Sequence, residues 1–384
     1  MDYTQIFYPP RFAVGPDSVK AMRDYIDKEN FRRCLVVTDK NLAGSSVFRK
    51  VTAQLDEAAV SYCVFSEVIP NPNPEIFDRA AAVYHKEKCD FIIAVGGGSA
   101  VDVAKGASLV AANGGSIRHY FGMNRSLYQG VPVIAVNTTA GTGAEVTRFL
   151  VLTDRENHQK YLVMDDHCLV SLAISDPCLM TDLPAEITIA TGLDALTHAV
   201  EAYCSVNHNP FSDGLALQAV KLIDRSLEKA VRHPEDLSVR TDLCWAASLA
   251  GYAFSNSGLG LMHAIGFSIE NFREVPHGVA VGMVMPYVLD YNRRAIGDRI
   301  GSIGKFCGLE DEVLCGARTV RRMTELIVAL RLPSLRDIGF DPKDIPALAD
   351  MALDDPTLGT NAIQPTREEM IHLIESIYCE NLKD

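Results

Sequence analysis

The chain has 384 residues, 48% of them hydrophobic and 22% charged, with a formal net charge of −13. At roughly 100–200 residues per domain, this length suggests about two domains, with ample apolar material for their cores. The acidic balance argues against a nucleic-acid partner. The start MDYTQIFYPPRF lacks the cationic-then-apolar pattern of a signal peptide. Apolar runs such as FIIAV fall far short of the ~20 residues a membrane span requires. Ten cysteines, none in a C-x-x-C pair, are expected to be reduced thiols of a cytoplasmic protein.

In chain order, the first half alternates short apolar strands with helical stretches. Strands are expected at Arg32–Asp39, Val60–Val68, Asp90–Val95 and Val131–Thr139, with a helical pattern over 75–88. Such alternation predicts an α/β domain with a parallel sheet covered on both faces. From Pro184 onward the chain reads as helices: 185–203, 212–231, 237–254 and more to the C-terminus. The expected fold is an α/β nucleotide-binding domain over 1–183, followed by an all-helical domain over 184–384. A ligand cleft is expected where the two domains meet.

After the strand ending at Val95 come Gly96, Gly97, Gly98 and Ser99, then the helical run AVDVAKGASLVAA. Glycines let the backbone approach a ligand closely, and a helix start presents free N–H groups and a positive dipole end to phosphate. The loop is not the G-x-G-x-x-G fingerprint, and a packing turn would look similar. Asp39 ends the first strand, where ligands of open α/β sheets collect and where a carboxylate suits the ribose hydroxyls of NAD. A turn or cap aspartate is the plainer alternative. Thr138-Thr139-Ala140-Gly141-Thr142-Gly143 forms a second small-residue loop at the same sheet edge.

In the helical half, Asp194 and His198 are spaced i, i+4 and share one helix face. His263 lies early in an expected helix over 261–272, and His277 sits in Pro276-His277-Gly278. One carboxylate and three imidazoles suit Fe²⁺ or Zn²⁺ better than an oxygen-seeking ion such as Mg²⁺. A single histidine of this kind is more often a satisfied core or capping residue than a ligand. The remaining histidines, His158 among them, lie mostly in polar stretches and receive no role.

These motifs together resemble the iron-containing (group III) alcohol dehydrogenase family. The matching stretches are VGGGSAVDVAK (95–105), NTTAGTGAEVT (137–147), ATGLDALTHAVEAY (190–203), HAIG…VPHG (263–278), PNPNP (70–74) and LRDIGFDPKDIPALADMALDD near the C-terminus. The resemblance implies metal ligation by Asp194, His198, His263 and His277, with Fe²⁺ as the family's ion and Zn²⁺ as the alternative. It also implies an NAD site formed by Gly97, Gly98, Ser99, Asp102, Thr138, Thr139, Thr142, Asn71 and Lys160. Asp39 takes the position where NAD-preferring members carry an acidic residue. Phe149, Phe254, Leu259 and Phe267 are expected around the substrate, and a homodimer or larger homo-oligomer is expected.

Two departures from the family pattern bear on the substrate pocket. Many members carry a second histidine where this chain has Phe267, and a T-N-P-R-like run here reads Thr360-Asn361-Ala362-Ile363. The implied reaction is hydride transfer between NAD(H) and a small primary alcohol or aldehyde of C2–C4. The far end of that substrate is polar or anionic in one version, with Asn271 or Arg273 as candidate holders. Two other functions fit the fold: a dehydroquinate-synthase-like lyase and a non-catalytic nucleotide sensor. The first would need basic residues clustered near the metal, which the sequence lacks; the second would have no use for a polarising cation.

Overall fold

The computed structural model describes Ile6 and residues 10–154, 159–309 and 315–379; His158 falls outside these. The first half contains β1 (Arg11–Val14), α1 (Ala21–Glu29), β2 (Arg33–Asp39), α2 (Ser46–Glu57), β3 (Ser61–Val68), α3 (Pro74–Lys86) and β4 (Phe91–Gly96). It continues with α4 (Gly98–Asn113), β5 (Gly122–Met123), β6 (Val133–Asn137), β7 (Phe149–Asp154), β8 (Gln159–Met164) and β9 (Leu172–Ser175). Six strands form one sheet in the order β1-β9-β6-β4-β2-β3, every neighbouring pair parallel. β5, β8 and β7 form a separate three-stranded sheet, in which β7 and β8 are antiparallel.

The central strands are buried on both faces, which is why they read as unbroken apolar runs rather than alternating ones. Val36, Ile93, Val95, Val136 and Ile174 of the sheet pack with Met22, Ile26, Val51 and Leu55 of α1 and α2. Because β3 lies on one side of β2 and β4 on the other, the strand order reverses between β2 and β4. Open α/β sheets bind ligands at such a point, beyond the carboxyl ends of the strands.

The second half is helical: α5 (Ala185–Cys204), α6 (Pro210–Arg232), α7 (Leu237–Ser255), α8 (Leu261–Phe272), α9 (His277–Phe306), α10 (Ala317–Ala329), α11 (Ile345–Asp354) and α12 (Arg367–Cys379). No strand occurs beyond Ser175 among the described residues. α5 is apolar on nearly all sides because α6 and α9 both pack on it, and it carries the buried Asp194 and His198. The chain divides into two compact units near Leu183–Pro184, and the segment Glu235–Cys244 groups with the first. Among the described residues no helix is long and apolar enough to cross a membrane.

The four strands expected from sequence correspond to β2, β3, β4 and β6, within two residues at each end. β1 and β9 hold only four residues each, too few to show a period, and sheet pairing makes strands of them. β7 and β8 stabilise each other as a hairpin; FLVLTD alternates between half-buried and buried positions, a weak signal when taken alone.

Candidate active site

The sequence-expected cofactor segments meet at one edge of the parallel sheet. β2 ends at Asp39, β4 ends at Gly96 beside it, and β6 ends at Asn137 in register with Gly96. Thr138 N–H donates to Gly96 O at 3.0 Å, joining the two small-residue loops. Gly97 is the N-cap of α4, and Gly98 and Ser99 open that helix. A Cβ on Gly97 would approach Thr139 Oγ1 to 2.9 Å, and one on Gly98 would come within 2.8 Å of Thr142 Oγ1 and Cγ2. Both positions must be bare because the threonine loop lies directly on them.

Asp39 Oδ1 accepts from the N–H groups of Asn41 (2.8 Å) and Leu42 (2.9 Å). These two turn bonds fix the carboxylate at the strand end. Asn71 adopts a left-handed backbone with φ 49° just beyond β3. Thr153 N–H donates to Pro72 O at 3.0 Å, which ties this turn to β7, where Thr153 pairs with Lys160 of β8. Asp102 faces protein: its Oδ2 accepts from Val151 N–H at 3.0 Å, and Lys105 Nζ lies 3.4 Å from its carboxylate. Burial pushes the Asp102 carboxyl up, with Lys105 opposing.

Lys105, absent from the sequence-expected set, is fully buried and donates to the carbonyls of Ala144 (2.9 Å), Thr147 (3.3 Å) and Phe149. It thus clamps the chain that leaves the threonine loop. A lysine within an otherwise apolar helix face was the signal.

In the helical unit, Asp194, His263 and His277 each bring a donor atom within 4.8 Å of the others, while His198 approaches Asp194 without joining that mutual cluster. Asp194 Oδ1 lies 3.5 Å from His198 Nε2, 3.9 Å from His263 Nε2 and 3.5 Å from His277 Nε2. Asp194 and His263 are buried, and neither Asp194 Oδ1 nor His263 Nε2 has a hydrogen-bond partner. Orphaned buried polar atoms are costly unless something else satisfies them. Donors held about 2.1 Å from one ion at tetrahedral angles lie about 3.4 Å apart, close to the 3.5 Å from Asp194 Oδ1 to His277 Nε2 and a little under the 3.9 Å to His263 Nε2. The residues present fit a divalent transition ion. Gly278 explains how α9 delivers His277: a Cβ there would fall 1.7 Å from Ala190 O and 3.1 Å from Asp194 Cβ.

Burial alone would raise the Asp194 carboxyl, but His198, His277 and His263 hold it well below the usual carboxylate range. Burial alone would lower His263, but the Glu201 and Asp194 carboxylates push it up to about 9. Two carboxylates absent from the sequence-expected set back the imidazoles. His263 Nδ1 donates to Glu201 Oε2 at 2.5 Å, and His277 Nδ1 donates to Glu270 Oε1 at 2.5 Å. Each ring therefore turns Nε2 toward Asp194. The signal lay in helical spacing, since Glu201 is i+7 from Asp194 and Glu270 is i+7 from His263.

Of the aromatic set, Phe267 stacks on His277 at 4.9 Å and meets His263 edge-on at 5.7 Å; Phe254 stacks on His198 at 4.5 Å. Leu259 lines a small cavity with Glu201, Gly260 and Asn361. Phe149 belongs to the α/β unit, as the first residue of β7. Arg273 donates through Nη1 to Phe272 O (2.6 Å) and through Nε to Gly339 O (2.8 Å), and its guanidinium lies over Phe340. Asn361 is buried and hydrogen-bonded to Asn292 and to the start of α8.

A model described as "Iron-containing alcohol dehydrogenase" matches residues 9–177, and one described as "Fe-containing alcohol dehydrogenase family, C-terminal" matches 188–378. Alcohol dehydrogenase 4 of Schizosaccharomyces pombe is 36% identical, the match covering 96% of this chain and 88% of that one. A solved 1,3-propanediol oxidoreductase superposes with a TM-score of 0.94 at 34% identity, covering 97% of this chain and 100% of that one. The sulfoacetaldehyde reductase of Bifidobacterium kashiwanohense, solved in complex with NAD⁺, gives a TM-score of 0.92 at 30% identity, with coverage of 99% and 100%.

Proposed function

This chain belongs to the iron-containing alcohol dehydrogenase family, and on that premise we propose that it is an NAD-dependent, metal-activated reductase of short aldehydes. It interconverts a C2–C4 primary alcohol and its aldehyde, including aldehydes with a polar or anionic far end. The observation that carries this reading is the convergence of three imidazole Nε2 atoms on the buried Asp194 Oδ1, at 3.5–3.9 Å. Asp194, His198, His263 and His277 would hold the ion. When bound, the ion supplies a Lewis acid at the substrate oxygen, and the nicotinamide supplies the hydride donor or acceptor.

The chain's own residues supply position and dryness. Gly97, Gly98 and Ser99 offer the start of α4 to the pyrophosphate, and Thr138, Thr139 and Thr142 line the adjoining loop. Asp39 receives the ribose hydroxyls and repels a 2′-phosphate. Asn71 and Lys160 border the same edge, and Asp102 acts on it through β7 and Lys105. Phe267 and Phe254 cover the histidines with apolar surface, excluding water and strengthening the local field. Phe267 has no exchangeable proton, so its position shields the site and moves no proton. Leu259 is the further apolar residue of this unit that we assign to substrate contact. Residues 1–183 act as the nucleotide-binding domain and 184–384 as the metal-binding catalytic domain. The enzyme works in the cytoplasm as a homodimer or larger homo-oligomer.

The test is absorbance at the NADH band with an aldehyde panel and added Fe²⁺. Consumption of NADH with C2–C4 aldehydes is expected; NADH binding without turnover of any aldehyde would favour a sensor and overturn the proposal.

A further inference from the structure

We propose that Glu201 is a positioning residue that joins the His263 imidazole to the start of α8 and thereby sets metal affinity, an inference that rests on the metal site proposed above. Glu201 is 4% exposed, and His263 is its only ion-pair partner among the described residues. Its Oε1 accepts from the backbone N–H groups of Met262 (2.6 Å) and His263 (3.3 Å), while Oε2 accepts from His263 Nδ1 at 2.5 Å. One carboxylate on α5 therefore caps α8 and selects the tautomer of the first histidine on α8. A helix start favours negative charge, so the buried carboxylate is held by the helix as well as by the imidazole.

The surroundings make this arrangement rigid. Gly260, the N-cap of α8, brings no side chain of its own. A Cβ there would approach Asn361 Oδ1 to 2.9 Å and Glu201 Oε1 to 3.2 Å. Asn361 Oδ1 accepts from Leu261 N–H at 3.3 Å, and Asn361 and Asn292 exchange two amide bonds of 3.0 Å. Leu261, Met262 and His263, the first three residues of α8, thus donate to side chains from other elements. Glu201 alone among those acceptors also touches an imidazole.

Glu201→Gln separates the two tasks at nearly constant volume. An amide can present its oxygen to the backbone or to Nδ1–H, but not to both; its NH₂ then faces a donor or turns the ring to the tautomer with protonated Nε2. Loss of such a carboxylate–histidine contact weakens metal binding by roughly 10–100-fold. The experiment is chelator competition on the zinc-loaded full chain for wild type, Glu201→Gln, Glu201→Asp and Asn361→Ala. Glu201→Gln should lose 10-fold or more in zinc affinity, and Glu201→Asp should recover part of it. Asn361→Ala should lower Tm while staying within about threefold of wild type in affinity.

A Glu201→Gln affinity within threefold of wild type would overturn the proposal. So would an equal loss in Asn361→Ala, because loosening of α8 would then set affinity. Nitrogen-15 spectra of zinc-loaded wild type need no variant: His263 must be protonated on Nδ1 with Nε2 on the metal, and the opposite tautomer would refute the role. Wild-type chain that holds no zinc at all would instead undo the metal site itself.

Discussion

Truncating Phe267 to Ala should lengthen the range of aldehydes the enzyme accepts. The ring stacks on His277 at 4.9 Å and lies edge-on to His263 at 5.7 Å, so it borders two of the four residues assigned to the metal. Removing the phenyl group frees room for about three methylenes. At about 0.8 kcal/mol per buried CH₂ these are worth about 2.4 kcal/mol, or roughly 60-fold in relative kcat/KM. Two aromatic contacts at about 0.5–1.5 kcal/mol each are lost, a cost of about 1–3 kcal/mol that should lower Tm without emptying the metal site. The assay is kcat/KM with NADH for a series from ethanal to hexanal, run on both proteins. The ratio of hexanal to ethanal should rise by more than 10-fold in the variant. An unchanged length profile would refute the placement of Phe267 beside the substrate.

Asp39→Gly should relax the preference for NAD, because it removes the carboxylate that repels a 2′-phosphate; kcat/KM with NADH and NADPH measures this, and equal use of both by the wild type would contradict the role. His263→Ala should remove most bound metal and activity, as metal analysis of the purified chain would show; unchanged stoichiometry would sink the ligand set. In the metal-free protein His263 is raised from its ordinary 6.5 to about 9, so its contribution is fully present below pH 6.5 and is lost as pH rises through 9, by up to about 3 kcal/mol. The Asp194 carboxyl, held low, contributes above pH 3.8 and loses that contribution only as pH falls below its usual range. Metal-free Tm should therefore fall between pH 7 and 9.5, while metal affinity rises over the same interval because binding displaces the His263 proton. A metal-free Tm that is flat or rising across that window would contradict the assignment.

The sheet core was legible because β2, β4 and β6 are buried on both faces and must be apolar throughout. The four-residue strands β1 and β9 were not, since their pairing depends on partners far along the chain. Asp194 and His198 could be paired from helical spacing, but only packing brings His277 to them, through the bare Cα of Gly278 against Ala190. Glu201 and Glu270 carry no distinct signal in the sequence, although each continues the i, i+4, i+7 spacing of its own helix. A buried carboxylate is conspicuous once its partners are known, and in a sequence it resembles any solvated glutamate. Nor does the sequence show that the Asn361 amide serves the start of α8, a hundred residues earlier in the chain.

In the proposed reaction one divalent ion, held by Asp194, His198, His263 and His277, is required for NAD-linked aldehyde reduction. Stripping the protein with a chelator and titrating Fe²⁺ back anaerobically, while following NADH absorbance with propanal, tests it directly. Activity should return linearly and saturate at one equivalent of iron per chain; full activity in the stripped protein would mean that no ion is needed.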